Sequence, residues 1–296
     1  MPHSFLSFGF LLQRRESMRF VTYNIGYGIG RDGENDLDRI AEVVEGADVI
    51  ALQEVERFWP RSGMVDQPRQ LGKRLPGYWW VFGPNIDLHS SETFPGEDAD
   101  RRRQFGNMLL ARRPILASRN IPLTRCSHLP FSMQRGAMEG IVKANGSTLR
   151  VYSTHLCYLS AETRLTQIAA IRDAHEVAPR EGGAWAGKHP DKAVGWILGD
   201  EPSVPEEAVL LGDMNFLPDS EEYAAHVAPG ASEPCGFVDG WRAIGRGEDD
   251  GVTKPGHGRI DYGLMSPSLL GRVREAWVDH DAAGSDHQPL WFDIDV

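Results

Sequence analysis

Apolar and polar positions along the chain fall into short blocks with two distinct periods. Arg19-Phe20-Val21-Thr22-Tyr23-Asn24-Ile25-Gly26 alternates with the two-residue repeat of a strand and ends on an amide followed by glycine. Leu149-Arg150-Val151-Tyr152-Ser153-Thr154-His155-Leu156 repeats the pattern and ends on a histidine. A helix-like stretch follows each, at 36–46 and at 161–177. In the second, Leu165, Ile168, Ala169 and Arg172 sit at helical spacing behind Ser160, a suitable N-cap. An apolar strand then closes each unit, Asp48-Val49-Ile50-Ala51-Leu52-Gln53-Glu54 and Ala208-Val209-Leu210-Leu211-Gly212-Asp213, and both end in a carboxylate. Strand, helix, strand, twice over, predicts an α/β (α+β) domain in two similar halves. Further strand candidates at 79–83, 106–111, 139–144, 148–155, 260–265, 273–279 and 289–295 outnumber the helices, so two packed sheets with helices outside are expected. The stretches 84–104 and 179–206 read as long loops of the kind that rim or cover a site.

No linker rich in Pro, Gly and Ser divides the chain, so residues 18–296 are expected to form one domain, with 1–17 as an N-terminal extension. The apolar run Phe5–Leu12 is followed by Arg14 and Arg15, whereas a secretory signal places its charges first. That order favours a cytoplasmic protein, with secretion the alternative should 1–17 act as an export signal. No apolar run approaches the ~20 residues of a membrane-spanning helix. Cys126, Cys157 and Cys235 cannot all pair and form no CxxC, so they read as reduced thiols.

Composition narrows the classes further. With 296 residues, 41% hydrophobic and 25% charged, the chain is an ordinary globular one, which excludes a disordered tail, a collagen-like fibre and a disulfide scaffold. Lys and Arg number 31 against 42 Asp and Glu, a net charge of −11. Such a surplus repels phosphate backbones and disfavours non-specific nucleic-acid binding. Phosphate-ester chemistry stays open if a bound cation supplies local positive charge.

The strand ends carry Asn24, Glu54, His155, Asp213, Asn215, Asp261, Asp286 and His287. Each alone has a plain structural reading: Asn24 as a turn residue, Asp213 as a loop cap, His155 as a satisfied core histidine. Together they say that apolar strands repeatedly deliver an oxygen ligand or an imidazole to one rim. Asn, Glu and Asp oxygens are hard donors that suit Mg²⁺ or Mn²⁺ better than zinc, and neither HExxH nor a cysteine cluster occurs. Hydrolysis needs a base near neutral pH, which His287 offers; Asp261 is the carboxylate to fix its tautomer.

Asn24 in TYNIG, Glu54 in ALQEVE, His155 in STHL, Asp213 and Asn215 in LLGDMNFLPDS, Asp261 in RIDY and the final GSDHQP together resemble the endonuclease/exonuclease/phosphatase superfamily, the DNase I-like hydrolases. The likeness covers roughly 18–296 and is similar to the smaller bacterial members. It implies a four-layer sandwich of two packed, mainly antiparallel β-sheets flanked by helices, and Mg²⁺- or Mn²⁺-dependent hydrolysis of phosphate esters. Carried over, Glu54 is the principal metal ligand, with Asn24 and Asp286 completing the site. Asp213 and Asn215 position the water and the scissile phosphate or hold a second ion. His287 is the general base, Asp261 orients it, and His155 donates to the phosphoryl oxygens. Asn107 in FGN and Arg135 in RGA are the substrate-binding candidates, against the plain readings of a strand-end amide and a surface salt-bridge arginine.

Substrate is less determined than reaction type. The acidic balance favours a phosphodiesterase or phosphatase acting on a small-molecule or lipid-derived ester over a DNA or RNA endonuclease or exonuclease, which is the alternative. A catalytically silent binding scaffold is the reading from another class; all eight chemical residues are present, which speaks against it. Arg101-Arg102-Arg103 is a possible phosphate clamp or a solvated charge run, and Trp79, Trp80, Trp185 and Trp196 stack on substrate or simply pack.

Overall fold

The computed structural model describes residues 17–90, 101–126, 131–144, 146–183, 189–195, 203–227 and 236–296. Its strands are β1 (Ser17–Asn24), β2 (Val49–Arg57), β3 (Trp79–His89), β4 (Arg102–Ala111), β5 (Ile115–Pro122), β6 (Gly136–Lys143), β7 (Thr148–His155), β8 (Ala208–Asp213), β9 (Val238–Asp239), β10 (Asp261–Met265), β11 (Val273–Val278) and β12 (Leu290–Asp295). Helices α1 (Leu37–Val44), α2 (Gln67–Arg74), α3 (Ala161–Glu181) and α4 (Glu221–His226) lie outside the sheets. Among the described residues one sheet runs β11-β12-β1-β2-β4-β3 and the other β5-β6-β7-β8-β10-β9. Among the strands of the described residues β1–β2 and β7–β8 are the parallel pairs, and they occupy the same central places in the two sheets. The crossover of each, among the described residues, carries an α-helix, α1 or α3, as a parallel pair favours. The two halves of the chain are therefore built alike.

Two-residue alternation decides which layer each side chain enters. Met18, Phe20, Val49, Ala51, Val151, Val209 and Leu211 pack between the sheets with Phe292 and Met138. The intervening Val21, Tyr23, Ile50 and Leu52 face Ile40 and Val44 of α1 and Leu71 of α2. On the opposite side Tyr152, Leu210 and Leu264 meet Ile168 and Ile171 of α3. Each full burial of such a side chain contributes roughly 1.5–3 kcal/mol. The result is the four-layer arrangement of helices, sheet, sheet, helices. Local signals start the helices where the sequence places them: Asp36 accepts from the backbone N–H of Asp38 and Arg39, and Ser160 from that of Thr163.

Other segments depart from the sequence reading. The 84–104 stretch is not loop throughout, since β3 continues to His89, β4 begins at Arg102, and Leu88↔Arg103 and His89↔Arg102 are in register. Asp87, Leu88 and His89 are exposed, so no apolar alternation marks this part of β3 and period alone misses it. β5, whose sequence ILASRNIP mixes polar and apolar residues, and the polar helix α2 escaped for the same reason. Within 179–206, α3 reaches Glu181 and Lys192–Val194 form one 3₁₀ turn. Residues 1–16, Trp185, Trp196 and Cys235 lie outside the described residues, whereas Cys126 and Cys157 are free thiols. Among the described residues no helix is long and apolar enough to cross a membrane.

Candidate active site

The carboxyl ends of β1, β2, β7 and β8 open at one end of the sandwich, where β10 begins. In register His155 lies beside Asp213, and Asp261 beside Asp213 from the other side. Glu54 arrives by a different device. Leu52 pairs with Met108 and Val55 with Gly106, so Gln53 and Glu54 together oppose Asn107 in a β-bulge, and Glu54 takes a left-handed φ of 59°. On strict alternation Glu54 would follow Ile50 and Leu52 to the helix side; the bulge brings it to Asn24 and His155 instead. Beneath it, Gln53 stitches the sheets, donating to Ser153 Oγ at 3.0 Å, while Ser153 donates to the Leu52 carbonyl at 3.0 Å.

Seven of the eight strand-end residues connect through direct contacts. Asn24 Nδ2 donates to Asp213 Oδ2 at 3.0 Å and to Glu54 Oε1 at 3.3 Å. His155 Nε2 lies 3.4 Å from Asp213 Oδ2, and its Nδ1 is 3.7 Å from Glu54 Oε1. His287 Nδ1 is 2.9 Å from Asp261 Oδ2, and its Nε2 is 3.7 Å from Asp213 Oδ2. The Asn215 backbone N–H donates to Asp213 Oδ1 at 3.0 Å, and its side chain to the Leu156 carbonyl at 3.2 Å. Asp286, with a side chain 61% exposed, stands at the rim and pairs with Lys254 Nζ at 2.9 Å.

Burial and charge shape the protonation states. Burial first, and then Asp261, push the Asp213 carboxyl above its ordinary range. His155 is driven well below the usual histidine value by burial and then by the Arg135 guanidinium, so its imidazole is neutral. Burial works against a charged His287, but Asp261 outweighs it and lifts that histidine above the ordinary range. For Asp286 burial is likewise outweighed, here by Lys254, which holds the carboxyl low.

The donor set fits a hard divalent cation. Glu54 is 16% exposed, and among the described residues its carboxylate meets the Asn24 amide, the neutral His155 imidazole and the Tyr27 hydroxyl rather than a cationic side chain. Its carboxylate oxygens lie beside the crowded Asp213, while Asn24 turns Nδ2 to both and its Oδ1 accepts from the Gly26 N–H at 3.1 Å, so Asn24 would bring an oxygen to an ion there by turning its amide. A second geometric grouping, Asp213, Asp261 and His287, has ligand atoms within 4.8 Å of one another.

The two remaining candidates lie deeper. Asn107 is buried and donates to the Gly136 carbonyl at 2.8 Å, tying β4 to the other sheet. Arg135 is also buried, with Nη1 3.0 Å from His155 Nδ1. Arg102 of the basic run pairs with Asp87 at 2.5 Å. Sequence reasoning missed three residues at this rim. Lys254 contacts both Asp286 and His287. Tyr27, with φ 62°, has its hydroxyl pushed up to about 12 by burial and by Glu54. Arg61 stacks 3.7 Å over the Tyr27 ring and pairs with Glu56. A lysine or arginine in a turn carries no periodic signal, so only contacts could reveal them.

Comparison with known proteins adds to this geometry. The sequence profile of the Endonuclease/Exonuclease/phosphatase family matches residues 21–287. A search of curated proteins gives no match. Among solved structures, an endonuclease/exonuclease/phosphatase from Beutenbergia cavernae DSM 12333 is similar at TM-score 0.64 and 23% identity, over 96% of this chain and 72% of that one. Mannosyl-6-phosphatase of Bacteroides thetaiotaomicron VPI-5482 aligns at TM-score 0.60 and 17% identity, over 93% and 98%. D. rerio TDP2 complexed with a single-strand DNA product aligns at TM-score 0.60 and 17% identity, over 95% and 99%. At these identities the structural likeness speaks to the fold.

Proposed function

The chain belongs to the Endonuclease/Exonuclease/phosphatase family, and from that premise we propose that it hydrolyses phosphate esters with Mg²⁺ or Mn²⁺ at the cluster around Asp213. The observation that carries the reading is the Asp261–His287 pair set against Asp213, beside Glu54 and Asn24. Glu54 and Asn24 would hold the ion, with Asp286 at its edge. When bound, it polarises a phosphoryl oxygen and offsets the charge that builds there.

The chain's own groups do the rest. Asp261 fixes His287 through Nδ1; in the deprotonated imidazole, with the Lys254 ammonium turned onto the phosphate, Nε2 is the acceptor for a proton from the attacking water. Arg135 can only donate, so it fixes His155 Nδ1 as an acceptor and leaves Nε2–H to donate to a phosphoryl oxygen. Asp213 and Asn215, locked together by the Asn215 N–H, orient water and phosphate between the two histidines.

A small-molecule or lipid-derived ester is the favoured substrate, on the strength of the net charge of −11. The similar mannosyl-6-phosphatase fold is consistent with a small phosphate ester. A nuclease is the second reading, favoured by the likeness to a structure holding a single-strand DNA product. Rates on bis-p-nitrophenyl phosphate, sphingomyelin and supercoiled plasmid, with Mg²⁺ and with EDTA, test both. We expect a small or lipid ester to be fastest, EDTA to abolish turnover, and His287→Ala to lower it about 10³-fold or more while the fold is kept. Plasmid nicking as the fastest reaction selects the nuclease, and no turnover of any ester selects the silent scaffold.

A further inference from the structure

Lys254 has the placement of a working residue without any sequence motif to announce it. Its side chain is 26% exposed, with Nζ 2.9 Å from Asp286 Oδ2 and 3.1 Å from His287 Nε2. The loop that carries it is fastened on both sides of that pair. Buried Thr253 accepts through Oγ1 from the backbone N–H of Ile260 and of Asp261, both at 3.1 Å, and its carbonyl accepts from Gln288 N–H at 2.6 Å. Lys254 itself closes a tight turn, exchanging backbone hydrogen bonds with Gly258 at 3.0 and 3.1 Å. A surface lysine needs no such anchoring to Asp261 and to the neighbour of His287. Here the ammonium is held in register with both.

That position bears on the Asp213, Asp261 and His287 grouping, which has the outline of a three-ligand metal site. An ion there would need a histidine nitrogen at about 2.0–2.1 Å. Nδ1 is already engaged by Asp261, and Nε2 faces the Lys254 ammonium. A divalent ion on Nε2 would sit against a fixed positive charge, with strong repulsion in so buried a place. Asp261 Oδ1 is buried without a partner among the described residues, but one open oxygen is not a ligand set.

We infer that Lys254 supplies the second positive charge of this centre, so that the cleft takes one divalent ion, on the Glu54–Asn24 side, and grips a phosphoryl oxygen with the ammonium on the His287 side. The inference rests on the phosphoesterase reading above. No covalent step is assigned to the lysine; its ammonium donates a charge-assisted hydrogen bond to substrate and to product phosphate.

The test is a Mn²⁺ titration followed by electron paramagnetic resonance, together with inhibition by inorganic phosphate, on the full chain and on Lys254→Met, Lys254→Arg and Glu54→Gln. We expect one Mn²⁺ per wild-type chain and none held tightly by Glu54→Gln. Lys254→Met should still bind one, but its phosphate affinity should fall by about 10- to 100-fold. Lys254→Arg should keep most of that affinity, which separates charge from mere packing, and melting curves confirm that each variant is folded. Two Mn²⁺ per wild-type chain, or unchanged phosphate affinity in Lys254→Met, overturns the inference while leaving the hydrolase in place. No Mn²⁺ on the wild type defeats the metal-dependent reading itself, and this inference with it.

Discussion

Side chains that do chemistry here are those whose burial is hardest to explain by packing. Asp213, Asp261, His155 and His287 are all buried, and a fold selected only for stability would place apolar groups there. His155 and Asp213 were legible because each ends an apolar strand, β7 or β8, whereas Asp261 opens β10 and His287 precedes β12, and these two were legible through RIDY and GSDHQP. Glu54 was legible as a strand-end carboxylate, but the left-handed bulge that aims it was not, since Gln-Glu has no turn signature. Lys254 was illegible because its role comes from Thr253 hydrogen bonds that spacing cannot encode.

A buried histidine outside the site gives a residue-scale check on the same electrostatics. His175 in α3 is pushed down to about 3, by burial first and then by Arg150, which donates to Nδ1 at 2.7 Å. Its folded value lies below the unfolded 6.5, so the stabilisation is whole above pH 6.5. It is lost as pH falls from there toward 3, by at most about 1.4 kcal/mol per unit. Urea midpoints at pH 7 and pH 5 should therefore drop more steeply in the wild type than in His175→Gln. Equal slopes would show that the imidazole is not held neutral.

At the scale of elements, the repeated parallel pair is what brings the site together. β1–β2 delivers Asn24 and Glu54, and β7–β8 delivers His155 and Asp213 from the corresponding place in the second sheet. In each pair the first strand, β1 or β7, was readable by its two-residue alternation and the second, β2 or β8, by its nearly continuous apolar residues. The outer strands were less so: β5 and the far part of β3 mix polar residues and are recognised only by their partners. The β7–β8 pairing is close enough to be tested by one methyl group. A Cβ at Gly212 would lie 2.0 Å from the Thr154 carbonyl oxygen, a backbone atom that cannot swing aside. Gly212→Ala should cost about 1–3 kcal/mol in denaturant unfolding. It should also lower turnover, because His155 and Asp213 stand directly beyond the forced gap. Wild-type stability in that variant would mean the two strands are not so tightly apposed.

For the whole molecule, the two halves of a chain of net charge −11 close on a cleft that gathers Glu54, Asp213, Asp261 and Asp286. Such an arrangement is stable in isolation only because hydrogen bonds from Asn24 and Asn215 and two imidazoles share the load on Asp213. A divalent ion completes it and should raise the melting temperature by mass action. The most direct measurement is the anomalous scattering of Mn²⁺ in a crystal of this protein. The account predicts a single strong peak within coordination distance of the Glu54 carboxylate, on the Asn24 side of Asp213. A peak enclosed by Asp213, Asp261 and His287 instead, or none at saturating Mn²⁺, would contradict it.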